Sequence, residues 1–202
     1  KLPVWLVETK EDIERIFAEQ LERLQTDYID FYLLHAMDAD RIRKMREVGY
    51  LEVLEKLRSE GKIKYIGFSF HDSYEVFEDI LNERDWDFCQ IQLNYMDAEE
   101  QAGLKGYALA AERGIPVVVM EPIKGGSLAS FAEDITGMFR DMDQEASVAS
   151  FALRWVGSLP NVKVILSGMS AMSQLDDNLK TLRMVSLVDD FDTFFFDTEI
   201  EA

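Results

Sequence analysis

The chain is short of several things that define whole classes of protein. Among its 202 residues there is one cysteine, Cys89, and there are two histidines, His35 and His71. One thiol closes no internal disulfide, and these three residues at scattered spacing make no zinc motif. Cations are scarce: 21 Lys and Arg face 39 Asp and Glu, for a formal net charge of −18. A nucleic-acid reader wants a basic face, so no nucleic-acid partner is expected; the acidic surface reads as a source of solubility. Long apolar runs are missing too. The longest are short stretches such as Val117–Met120, so no membrane partner is expected. The sequence starts at Lys1 with no initiator Met and no signal pattern, and with a single cysteine this points to a reducing cytoplasm. It contains no GxGxxG, no Walker A sequence and no GxSxG elbow, which disfavours a Rossmann site, a P-loop and a hydrolase triad.

What is present is an alternation of two patterns. Thr9–Leu24 reads as a helix, with Thr9 as N-cap, Glu11 and Asp12 in the first turn, and an apolar stripe of Ile13, Ile16, Phe17, Leu21 and Leu24. Tyr28–Leu34 is rich in β-branched and aromatic residues and ends at His35. Helices follow at Gly49–Ser59, Tyr74–Asn82 (capped by Ser73), Glu99–Arg113, Glu145–Gly157 and Ser170–Leu182. Between them lie strands at Lys64–Ser69, Phe88–Asn94, Pro116–Met120 and Val162–Ser167. Apolar strands alternating with amphipathic helices make a parallel sheet covered by helices. With Lys1–Trp5 counted as a strand end there are six βα units. This fits an eight-unit barrel, which takes about 250 residues, lacking two units; an open six-stranded sheet is the rival reading. A hydrophobic content of 48% supports one domain over residues 1–202. The acidic C-terminal segment 189–202, with Phe191 and Phe194–Phe196, stands apart as a docking tail, a disordered end or a barrel-closing segment.

His35, Ser69, Gln90, Asn94, Glu121 and Ser167 all fall at or near the C-terminal end of a strand. Parallel α/β folds place their ligand sites there, so six in succession point to a shared site. His35 reads either as an imidazole at a strand mouth or as a core histidine bonded to a backbone carbonyl. His71 reads more simply as a loop residue. Gly125-Gly126 after a buried strand, and Ser167-Gly168-Met169-Ser170 entering a helix, each suit a phosphate approached by backbone amides, or else an ordinary turn.

Five blocks carry a resemblance. Gln20–Met37 looks like the aldo-keto reductase segment that ends in the catalytic histidine. Leu51–His71, with its Leu-Arg-Ser-Glu-Gly-Lys-Ile-Lys-Tyr-Ile-Gly-Phe-Ser, resembles that family's next helix and strand. Gln90–Tyr95 and Val117–Gly126 continue it, and Leu166–Asn178 resembles the segment that closes over the cofactor. The chain most resembles the bacterial branch often fused to a ferredoxin-like iron–sulfur tail; with no cysteine cluster, that tail is expected to be absent.

The resemblance implies a (β/α)8 TIM barrel whose N-terminal two βα units are missing from this chain. It implies NAD(P)H-dependent reduction of an aldehyde or ketone, with NADP expected and NAD possible. Lys1 and His35 match the catalytic lysine and histidine. The family's proton-donating Tyr and its Lys-pairing Asp lie upstream of that lysine and have no counterpart here. Ser69 and Gln90 would hold the nicotinamide carboxamide. Pro122, Gly125 and Gly126 would line the pyrophosphate path, and Ser167, Gly168, Met169, Gln174 and Asn178 would hold the adenosine end. Two positions depart from the pattern. Met120 stands where many members stack an aromatic ring. Ser170–Asn178 contains no Arg or Lys and carries Asp176 and Asp177, a poor setting for a 2′-phosphate. The alternative function is a catalytically inactive barrel remnant, serving as a binding or assembly module through an open sheet edge.

Overall fold

The computed structural model describes residues 1–185, with the backbone alone for the last two. The acidic Phe-rich segment lies outside the described residues. Five strands are ordered β1-β2-β3-β4-β5: Ile29–Met37, Ile63–Phe70, Phe88–Gln92, Val117–Met120 and Val162–Ile165. The pairings of β1 with β2 and of β2 with β3 are parallel. The helices are α1 (Lys10–Leu24), α2 (Ala39–Val48), α3 (Tyr50–Ser59), α4 (Tyr74–Leu81), α5 (Gly103–Glu112), α6 (Glu133–Met142), α7 (Val148–Gly157) and α8 (Met172–Val185). The chain divides into two compact units, one of residues 1–92 and 99–118, the other of residues 93–98 and 119 onward.

In the first unit, local chemistry sets the helix ends. The Asp12 carboxylate accepts from the Thr9 backbone N–H at 3.1 Å, and the Asp38 carboxylate accepts from Arg41 N at 2.8 Å, so both helix starts have their orphan donors engaged. Ile13, Ile16 and Phe17 bury the inner stripe of α1, and Phe17 meets Tyr32 edge-on with ring centroids 5.0 Å apart. Behind β2, Phe68, Phe70, Phe77 and Trp86 interlock at centroid distances of 4.8 to 6.5 Å. Burial of these rings adds to that of the aliphatic side chains around them, among them Ile66, Ile80 and Leu81.

The expected strand end at Lys1–Trp5 is confined to Leu2. Leu2 makes a single parallel bridge to Leu34, and the chain then winds into a 3-10 turn at Val4–Leu6. Pro3 has no N–H to donate to a ladder, and its carbonyl instead accepts from Leu6 N at 2.9 Å. Two helices escape the sequence pattern. Helix α2 buries only Ile42 and Met45, and α6 buries nothing, so neither carries a full apolar stripe.

In the second unit, α7 is the buried element. Phe151, Ala152, Leu153, Trp155 and Val156 are all inside, and the Ser147 hydroxyl caps the helix by accepting from Ser150 N at 3.1 Å. Phe131, Phe139 and Phe151 form a run of ring contacts at 5.7 and 4.9 Å. Beside β4, the Leu93 N–H donates to Met120 O and the Leu166 N–H to Val119 O. These bonds fix the starts of the loops that follow β3, β4 and β5.

Candidate active site

The first unit gathers four of the expected residues at its strand tips. His35 N donates to Leu2 O at 3.0 Å and Leu2 N to Leu33 O at 2.8 Å, which sets Lys1 beside His35 across the short bridge. The register of β1 against β2 slips between Leu34 and Met37, and Ala36 takes the left-handed conformation at φ 57°. This bulge re-aims the histidine, as bulges near functional sites do. Ser69 holds it: its hydroxyl accepts from Ala36 N at 2.8 Å. The Arg41 guanidinium donates to Ala36 O at 2.6 Å from the other side. Gln90 lies directly opposite Ser69 in the β2–β3 register, and both side chains are buried.

The electrostatics of this corner follow from its packing. The His35 pKa is lowered from the ordinary 6.5, by burial first and then by the positive charges of Lys1, His71 and Arg41. The Lys1 side chain is lowered as well, through burial. The imidazole is therefore neutral at pH 7, with one donor and one acceptor nitrogen. The carbonyl of Lys1 is tied down from α1. Tyr32 donates its hydroxyl to Gln20 Oε1 at 2.9 Å, and Gln20 Nε2 donates to Lys1 O at 2.9 Å. The Trp5 ring stands 5.1 Å from the His35 ring at 52° and is 48% exposed, giving the corner an apolar wall.

The second unit holds a cleft of about 370 Å³. One side is Glu121, Pro122 and Ile123 with Gly125, Gly126 and Ala129; the other is Leu166, Ser167 and Gly168 with Gln174. Six of the eight expected cofactor residues of this unit therefore share one cavity. Asn178 supports it from behind, donating to the Ser167 hydroxyl at 3.0 Å. The Gln174 amide oxygen accepts from Ser170 N at 2.8 Å and Ala171 N at 3.1 Å, closing the turn into α8. Met169 is 41% exposed and lies outside the lining.

The turn Glu121–Gly126 is unusual. Glu121, Lys124, Gly125 and Gly126 all have positive φ, at 57°, 48°, 60° and 98°. For the two residues that are not glycine this costs about 1–2 kcal/mol each. A Cβ at Gly126 would meet nothing within 4 Å, so that stretch of backbone faces open space. The glycine pair leaves the backbone bare along the cleft, so a ligand could approach it closely, while the Lys124 and Gly126 amides bond back within the turn. The space beside the two glycines fits a pyrophosphate that passes close to bare backbone. It fits a 2′-phosphate poorly, since the lining offers the Glu121 carboxylate and no cation.

Sequence reasoning missed four contributors. Gln20 carried no signal, because a glutamine within an amphipathic helix looks like a solvated face. Trp5 carried one, an aromatic four residues after a candidate catalytic lysine. Asp97 and Lys124 were legible only as loop charges. They form an ion pair, and Asp97 is further engaged by Asn94 Nδ2 at 3.0 Å. Among the described residues no group of three His, Cys, Asp or Glu is placed to hold a metal ion. No described helix is long and apolar enough to cross a membrane.

Known proteins resemble this chain in sequence and fold. The aldo/keto reductase family model matches residues 7–193. Glyoxal reductase of Bacillus subtilis is 30% identical over 139 residues, covering 69% of this chain and 46% of that protein. The holo form of an aldo-keto reductase from Bacillus halodurans superposes with a TM-score of 0.73 at 25% identity, covering 88% of this chain and 63% of the other. An aldo/keto reductase of Klebsiella pneumoniae, solved with NADP and acetate, gives 0.68 at 26% identity, covering 90% and 62%. The chain spans 46% to 60% of the length of the curated relatives it matches first. Its parallel five-stranded sheet and helices correspond to part of the aldo-keto reductase barrel. On the strength of a match that runs through both units, this chain belongs to the aldo/keto reductase family.

Proposed function

We propose that this chain forms part of a reductase that uses a nicotinamide dinucleotide to convert a small aldehyde or ketone to an alcohol. The carrying observation is the meeting of Lys1 and His35 at a bulged strand tip, with a neutral imidazole beside an ammonium. The dinucleotide, when bound, supplies the hydride that reduces the carbonyl carbon. The protein's own residues do the rest. The neutral His35 donates a hydrogen bond to the carbonyl oxygen and orients it, and the Lys1 charge favours negative charge developing on that oxygen. By family resemblance, the proton comes from a tyrosine on the units that precede Lys1 in the relatives. Ser69 and Gln90 would hold the carboxamide, Pro122, Gly125 and Gly126 would line the pyrophosphate path, and Ser167, Gly168, Met169, Gln174 and Asn178 would hold the adenosine end.

The name of the Bacillus subtilis relative supports a small dicarbonyl as substrate class. The NADP-bound Klebsiella pneumoniae structure supports NADP, and the NADH-specific methylglyoxal reductase of Escherichia coli, 25% identical, supports NAD as a possibility. A cytoplasmic location belongs to the same proposal and is supported by a single, buried cysteine.

The test is NADPH and NADH oxidation with glyoxal and methylglyoxal, using protein expressed from its complete reading frame. His35→Gln should lower kcat/KM by about 10²-fold or more while leaving dinucleotide affinity within a few-fold. Full activity in that variant would sink the assignment of His35, and no carbonyl reduction by the wild type with either dinucleotide would sink the function itself.

A further inference from the structure

The left-handed turn that lines the cleft is held from outside the cleft. Lys124, itself in the left-handed region, reaches away from the cavity and pairs with Asp97. Asp97 is buried, its side chain 8% exposed. It is fixed by Asn94, which is fully buried. Asn94 Oδ1 accepts from Met96 N at 3.0 Å and Asp97 N at 2.9 Å, while its Nδ2 donates to Asp97 Oδ2 at 3.0 Å and to Glu121 O at 3.2 Å. Glu121 O also accepts from Lys124 N at 3.1 Å. One buried amide thus touches both the anion that holds Lys124 and the carbonyl that opens the turn.

Two of the four left-handed residues, Glu121 and Lys124, have a Cβ and disfavour the shape. Such strain persists only where neighbours over-determine it, and in this turn the neighbours are Asn94 and Asp97. A buried carboxylate that loses its cation is strongly disfavoured, so the pair resists opening. We propose that Asp97 and Lys124, anchored by Asn94, are a positioning pair that holds Glu121–Gly126 in its cleft-forming shape and thereby sets dinucleotide affinity. The inference rests on the reading of the cleft as a dinucleotide site. In it Lys124 acts through the backbone and does not meet phosphate.

Asp97→Asn, Lys124→Met and the double variant separate this from direct phosphate contact, with NADPH affinity read by fluorescence titration. Each single variant should weaken binding about tenfold, and the double should be no worse than either single. If Lys124→Met weakens binding while Asp97→Asn tightens it, Lys124 touches the ligand and the proposal is overturned. Additive losses, or no losses, overturn it too.

Hydrogen exchange without ligand gives a second readout. The amides of Lys124, Gly126 and Leu128 bond back to Glu121 O and Ile123 O and report the turn directly. They should exchange faster in both single variants, by more than amides of β1 and β2 do in the same proteins; unchanged exchange overturns the proposal even if the wild type binds no NADPH. A wild type that fails to bind either dinucleotide, with exchange altered as expected, instead removes the dinucleotide reading and leaves the pair as the holder of the turn.

Discussion

His35 stands where β1 leaves its regular register, and its chemistry follows from that position. Burial, together with the charges of Lys1, His71 and Arg41, holds its pKa below the usual value of 6.5. The folded state therefore takes up this proton less readily than the unfolded chain. The stabilisation linked to it is complete above the unfolded value and declines as pH falls from about 6.5 toward the folded value. Urea unfolding at pH 7.5 and pH 5.5 should show a drop in stability on acidification that is smaller in His35→Gln than in wild type. An equal drop in the two proteins would mean that the imidazole titrates normally. At this scale the sequence was informative about identity and silent about support. His35, Ser69 and Gln90 stood out because each is polar at the end of an apolar strand. The bulge at Ala36, and the engagement of the Ser69 hydroxyl in holding it, depend on β1 and β2 meeting across 33 residues of sequence. No local pattern encodes that meeting.

At the scale of the element, most boundaries were legible because caps and stripes agreed. Helix α1 begins right after Thr9 and ends at Leu24, as its apolar spacing required. Helix α5 begins at Gly103, later than the expected Glu99, and β5 ends at Ile165, before the expected Ser167. At α5 the polar run Glu99–Gln101 mimics a helix start, and at β5 the apolar Leu166, whose N–H still donates to Val119 O, prolongs the strand pattern. Between β2 and β3 the packing is tight enough to constrain a single atom. A Cβ on Gly67 would fall 2.6 Å from Phe88 O and 2.7 Å from two atoms of the Phe88 ring. Gly67 and Phe88 are register partners, so neither can move without opening the ladder. Gly67→Ala should cost about 1–3 kcal/mol of stability, read as a lower urea midpoint at unchanged slope. A midpoint equal to wild type would show that the ladder yields at that point.

At the scale of the whole molecule, the sole cysteine reports on cohesion. Cys89 is fully buried on β3, and burial pushes its thiol pKa up to about 12. The thiolate is the reactive form, so the native thiol should be inert to Ellman's reagent at pH 8 and react only as the chain opens. The labelling rate should rise with urea in step with global unfolding; rapid labelling in buffer would place Cys89 in a segment that opens on its own. Cohesion of this kind also carries influence from the outer surface inward. The hydrogen bonds that run from Tyr32 through Gln20 to the Lys1 carbonyl join the middle of α1 to the reactive corner. A substitution at position 20 should therefore loosen the Lys1 end of the chain beside His35, although the residue sits on a surface helix and would be passed over in any survey restricted to the strand tips.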